Sequence, residues 1–149
     1  MPNSIEKTIE LKAPVARVWR ALTDSEEFGS WFRVKLEGPF VVGETSRGQI
    51  TYPGYEHMQW EARVTAMEPE SLFAFRWCPY GGDPAVDYSA EPHTLVEFRL
   101  EATAEGTRLL ISESGFDALP DEEVRVDALR SNTQGWNAQA EHIAAHVES

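Results

Sequence analysis

Apolar and polar side chains alternate in five segments of the chain, a period of two that predicts β-strands with one buried face. These segments are residues 5–11, 59–66, 72–77, 96–100 and 107–111. Short turns join the second to the third and the fourth to the fifth, which predicts two antiparallel hairpins. Glycines and Pro39 punctuate residues 34–52, where we expect two further strands.

Apolar side chains recur at helical spacing in three other segments. A short helix is predicted after Pro14 and ends near Thr23, and a second, capped by Asp24 or Ser25, carries Trp31 and Phe32. A third helix is predicted after Asp121 and continues for nearly thirty residues. Its apolar stripe comprises Val126, Leu129, Thr133, Trp136, Ala140, Ile143 and Val147. The pattern predicts an α+β fold in which a curved antiparallel sheet of about six or seven strands wraps around the long C-terminal helix.

Composition and charge limit the class of partner. A chain of 149 residues suits one domain, which we place at residues 1–149. The net charge of −12 disfavours binding to nucleic acid or to anionic membranes, and no apolar run is long enough to span a bilayer. Cys78 is the only cysteine, and the first residues lack the apolar core of a signal peptide. We therefore expect a cytoplasmic protein.

Three segments resemble a known superfamily. Residues 11–24, LKAPVARVWRALTD, followed by Trp31 and Phe32, resemble the opening of START-like, Bet v 1-like (SRPBCC) proteins. The later segments GTRL at 106–109, ESGF at 113–116 and GW at 135–136 resemble the branch of the activator of heat-shock protein 90 ATPase homologues. The resemblance implies a helix-grip fold, in which sheet and long helix enclose a cavity for a small hydrophobic ligand. The chaperone-binding domain of the activator itself has no counterpart here, so a chaperone partner is not expected.

The candidate ligand-binding residues are large rings on the predicted inner faces, together with one carboxylate. Glu113 shares its strand phase with Leu109 and Ile111 and so points inward, where a charge needs a polar partner; Arg76, His57, Tyr52 and Tyr55 are the candidates. The proline- and glycine-rich segment 78–92 is predicted to be a loop that closes the pocket. The ligand-binding set is Trp31, Phe32, Trp60, Phe75, Trp77, Phe98, Glu113, Phe116 and Trp136. Each ring has an alternative role in simply filling the core, and Glu113 in a structural pair.

Motifs for catalysis and metal binding are lacking. His142 and His146 lie one helical turn apart, but no third ligand is evident, so we assign no metal, no cofactor and no catalytic residue. Gly135, in the middle of the long helix, is expected to serve close packing. The chain is thus interpreted as a ligand-binding domain. A cyclase-like or hydratase-like enzyme using the same pocket, a chaperone accessory protein and a homodimer stay open as alternatives.

Overall fold

One seven-stranded antiparallel sheet forms the frame of the protein. The computed structural model describes residues 3–88 and 90–148; Met1, Pro2, Ser149 and Ser89 of the predicted 78–92 loop lie outside the described residues. The strands are β1 (Ser4–Leu11), β2 (Val34–Leu36), β3 (Thr45–Ile50), β4 (Gln59–Glu68), β5 (Leu72–Trp77), β6 (Thr94–Thr103) and β7 (Gly106–Ser114). Their order in the sheet is β1-β7-β6-β5-β4-β3-β2. The two hairpins predicted from alternation are β4–β5 and β6–β7.

Three helices pack on this sheet. Helix α1 (Val15–Thr23) and helix α2 (Ser25–Phe32) lie between β1 and β2, and helix α3 spans Glu122–Glu148. The Asp24 carboxylate accepts the backbone N–H groups of Glu26 and Glu27 at 3.0 and 3.1 Å, and so caps α2 as the sequence predicts. The α+β, helix-grip architecture expected from the sequence is confirmed.

Helix α3 buries its apolar stripe only over its C-terminal part. Trp136, Ala140, Ile143 and Val147 are buried against the core, as the stripe predicts. Thr133 is exposed, so its assignment to the inner face is wrong. Toward the N-terminus of α3, Asn132 lies on the side that faces the interior, where its amide donates to Glu113.

The surroundings of Gly135 test another expectation for helix α3. Gly135 has no atom within 4 Å of the position that a Cβ would occupy, so the expectation that it serves close packing is wrong. No helix among residues 3–88 and 90–148 combines the length and the apolarity needed to cross a bilayer.

Candidate functional site

A buried carboxylate links the sheet to helix α3. Glu113, near the end of β7, has no exposed surface. Its Oε1 accepts hydrogen bonds from the indole N–H of Trp136 at 2.9 Å and the side-chain amide of Asn132 at 3.0 Å. Its Oε2 accepts from the indole N–H of Trp77 at 2.9 Å, the hydroxyl of Thr94 at 2.5 Å and Asn132 at 3.1 Å. Each carboxylate oxygen therefore serves one tryptophan.

The donors come from three different elements besides β7. Trp77 ends β5, Thr94 begins β6, and Asn132 and Trp136 lie four residues apart on α3. Residues four apart share one face of a helix, so both reach the same carboxylate. None of the polar neighbours suggested by the sequence, Arg76, His57, Tyr52 or Tyr55, is among these donors. Sequence analysis found the inward carboxylate but missed Asn132 and Thr94.

Aromatic rings fill the space between the sheet and the middle of α3. Trp136 lies 5.8 Å from both Trp77 and Phe98, and 6.3 Å from Phe32, measured between ring centroids. The rings of Phe75, Phe98, Phe116 and Trp136 are buried. Trp31 is also buried, and its indole N–H donates to the carbonyl of Ala21 at 2.8 Å.

An open cleft lies beside this ring cluster, at the end of the sheet where β3 and β5 finish and β4 and β6 begin. Its volume is about 280 Å³. Phe32, Trp60 and Trp77 of the predicted binding set form its aromatic wall, together with Ile50 and Met58. Residues of the loop after β5 also line the cleft. Among the described residues of α3, only Asn132 lines it. Trp136 is not among the residues that line this cleft.

The loop after β5 is fixed to the start of β4. The backbone N–H of Gln59 donates to the carbonyl of Gly82 at 2.8 Å. Gly82 has a φ of +119°, and a Cβ there would lie 2.4 Å from Cε of Met58. The left-handed backbone conformation favours glycine, whereas the contacting methyl group is the end of the flexible Met58 side chain and can move aside. The described part of the loop is thus a packed wall of the cleft.

Two side chains of this loop have altered acidity. Burial raises the pKa of the Cys78 thiol, which lines the cleft. Burial and, after it, interactions with Cys78 and Glu91 raise the pKa of Tyr80 to about 12. Both side chains are therefore protonated at neutral pH, and Cys78 is a weak nucleophile.

A second polar cluster joins the three helices away from the cleft. Glu27 of α2 accepts hydrogen bonds from Arg17 at 2.5 Å, Arg20 at 2.7 Å and Nε2 of His146 at 3.0 Å. Burial alone would raise the pKa of Glu27, but these hydrogen bonds and the charge of Arg17 lower it to about 2. His142 contacts Gln139, whereas His146 contacts Glu27. Among the described residues no group of three metal-binding side chains is found.

Solved structures with this fold come from several bacteria. A protein from Arthrobacter aurescens is 19% identical with a TM-score of 0.79, over 97% of this chain and 86% of its own. Protein MLL2253 from Mesorhizobium loti is 23% identical with a TM-score of 0.74, over 96% and 95% of the two chains. DynU16, from the dynemicin biosynthetic locus, is 24% identical with a TM-score of 0.76, but this chain spans only 48% of its length. At these identities the likeness shows the fold.

The seven-stranded antiparallel sheet and the long C-terminal helix define a helix-grip fold. Residues 12–148 match the family described as Activator of Hsp90 ATPase homolog 1-like protein, and the chain belongs to that family. The branch suggested by the sequence segments is thereby confirmed. No curated protein shows significant similarity to the chain.

Proposed function

We propose that this protein binds a small, largely hydrophobic molecule in the cleft between the start of β4 and the loop after β5. The observation that carries the proposal is the composition of the cleft. The rings of Phe32, Trp60 and Trp77 and the side chains of Ile50 and Met58 line it, together with polar groups such as Asn132 and His93. Ligand sites in proteins typically combine an apolar lining with a small number of polar groups.

The size of the cleft limits the ligand. Its volume of about 280 Å³ is near the lower end of ligand pockets, which hold roughly 300 to 1,000 Å³. A molecule with one or two rings fits such a space. The fixed position of Trp77 supports a preformed site, because the indole N–H of Trp77 is held by Glu113.

Catalysis by Glu113 is not part of the proposal. Its carboxylate accepts hydrogen bonds from four side chains, has no exposed surface and does not line the cleft. A general base must reach the proton that it removes. Glu113 therefore acts as a structural anchor for two residues that do line the cleft, Trp77 and Asn132.

A cytoplasmic location stays a prediction of the sequence.

The experiment is an NMR screen of one-ring and two-ring compounds against the ¹⁵N-labelled protein. Binders are expected to shift the indole N–H signal of Trp77, the side-chain amide of Asn132 and the backbone amides of Gly81 and Gly82. A saturating ligand should also raise the melting temperature by mass action. A library without any binder, or binders that shift only signals distant from these four, would contradict the proposal.

A matched pair of variants locates the site. Val86 lines the cleft and is 45% exposed, whereas Val42 is 52% exposed and does not line it. Each can be replaced by aspartate with little effect on folding, because neither is buried. Val86→Asp should weaken binding of an apolar hit by about tenfold, since the hit would contact or desolvate the new charge. Val42→Asp should leave the affinity unchanged.

A further inference from the structure

The hydrogen bond between Glu113 and Asn132 fixes which polar group the cleft offers to a ligand. Glu113 accepts hydrogen bonds from the indole N–H groups of Trp77 and Trp136, and the amide nitrogen of Asn132 faces it at 3.0 and 3.1 Å. The amide oxygen accepts no hydrogen bond from the described residues. It is not one of the buried atoms that lack a partner, so it is not fully buried. Asn132 lines the cleft, so its amide oxygen is the acceptor that this residue can offer to a ligand there.

The carboxylates that line the cleft are negative, like the partial charge of this acceptor oxygen. No lysine or arginine is among the described residues that line it, and the lining carboxylates are Glu61, Asp83 and Asp87. Arg47 forms an ion pair with Glu61. Asp83 is exposed and accepts the backbone N–H of Ala85 at 2.9 Å, so its charge is held beside the cleft. An anionic ligand would find no lysine or arginine among these groups, and His93 is the one imidazole among them.

The aromatic wall adds a third feature that favours positive charge. Trp60 and Trp77 lie 5.6 Å apart, and Phe32 lies 5.2 Å from Trp60, measured between ring centroids. The faces of tryptophan rings attract ammonium groups through their quadrupole. Tyr88, on the loop wall, provides another ring opposite them.

We propose that the ligand is an aromatic or apolar amine, whose ammonium or N–H group donates to Asn132, and that the cleft rejects carboxylates of the same shape. This inference rests on the proposed function and names the ligand class of the same site. Glu113 is a positioning residue in it, because it orients Asn132 without touching the ligand. Selectivity then results from one fixed acceptor and from the sign of the surrounding charge.

The test compares three probes of nearly equal shape by NMR titration: tryptamine, which is cationic, tryptophol, which is neutral, and indole-3-propionate, which is anionic. We expect tryptamine to bind about fivefold or more tightly than indole-3-propionate, with tryptophol between them. Added NaCl at 0.5 M should reduce this ratio, because part of it comes from screened charges.

A charge-matched pair of variants separates local from overall charge. Asp83→Asn removes the charge beside the cleft and keeps an oxygen for the N–H of Ala85. Asp121→Asn removes one charge at a residue that does not line the cleft and keeps an oxygen for the N–H of Val124, which Asp121 accepts at 2.8 Å. The preference for tryptamine should fall about twofold in Asp83→Asn and stay unchanged in Asp121→Asn.

The outcomes distinguish this inference from the proposed function. If indole-3-propionate binds the cleft as tightly as tryptamine, the inference is wrong and the binding function stands. The same holds if none of the three probes shifts Trp77 or Asn132 while other library compounds do. If no compound of any charge binds the cleft, both proposals fail.

Discussion

Replacing Glu113 by glutamine tests the role of the buried carboxylate. The substitution preserves shape but converts one oxygen into an NH₂ group that donates. Because each oxygen of Glu113 accepts one indole N–H, from Trp136 on Oε1 and from Trp77 on Oε2, neither amide orientation satisfies both tryptophans. One indole N–H is left facing another donor in a site with no exposed surface.

The magnitude follows from these contacts. An unsatisfied buried donor costs about 1–3 kcal/mol, and the remaining hydrogen bonds lose the strength that the charge gives them, about 1 kcal/mol. Burying a neutral amide costs less than burying a carboxylate, which offsets part of this loss. We expect the free energy of unfolding to fall by about 1–3 kcal/mol, measured by urea denaturation with circular dichroism.

Two controls make this result specific. Glu101→Gln, on β6 with a side chain 70% exposed, should change the free energy of unfolding by no more than about 0.5 kcal/mol. Trp136→Phe removes one of the two competing donors, so the double variant should lose at least about 1 kcal/mol less than the sum of the single variants. A loss below about 1 kcal/mol in Glu113→Gln, or strictly additive losses, would refute the structural role of this carboxylate.

Three other predictions concern groups outside this network. The pKa of Glu27 is lowered from 4.5 to about 2 by its interactions. These interactions therefore stabilise the fold fully at pH values above 4.5, and this stabilisation is lost as the pH falls toward 2. Glu27→Gln should therefore be about 2 kcal/mol less stable than the wild type at pH 7, after allowance for its partial exposure, and this difference should vanish near pH 2, as urea denaturation across that range would show. Gly135→Ala should raise the free energy of unfolding by about 0.5–1 kcal/mol, because a methyl group there meets nothing and favours the helix; an unchanged or lower urea midpoint would contradict this. Cys78 should react with iodoacetamide at pH 8 more slowly than free cysteine, because burial raises the pKa of its thiol, and more slowly still with a ligand in the cleft; a rate equal to that of the urea-unfolded chain would contradict this.

The strands and the direction of Glu113 could be predicted because they depend on local alternation. Leu109 and Ile111 are buried, and Glu113 two residues further on shares their face. The donors to Glu113 could not be predicted in the same way. They come from β5, β6 and α3, which approach one another only through tertiary packing.

The error at Thr133 has the same origin. Spacing by threes and fours allows either Thr133 or Asn132 near the inner face of α3, and apolarity favours neither strongly. The buried carboxylate decides between them, because it needs the N–H groups of an amide. A useful signal was present in the sequence, since Asn132 lies one helical turn before Trp136.

The position of the cleft was also beyond the sequence. Alternation placed Trp60 and Trp77 on inner faces, and helical spacing did the same for Trp136, but ring packing determines where space is left. The rings meet under α3, and the space remains beside Trp60 and Trp77, where Gly82 holds the loop against Met58.

A crystal structure of the protein soaked with the tightest amine from the screen tests the binding claim most directly. We predict density for the compound between the ring of Trp77 and the backbone of Gly82, with its nitrogen within hydrogen-bond distance of Oδ1 of Asn132. Density at another surface, or an empty cleft at a concentration far above the measured Kd, would contradict the account.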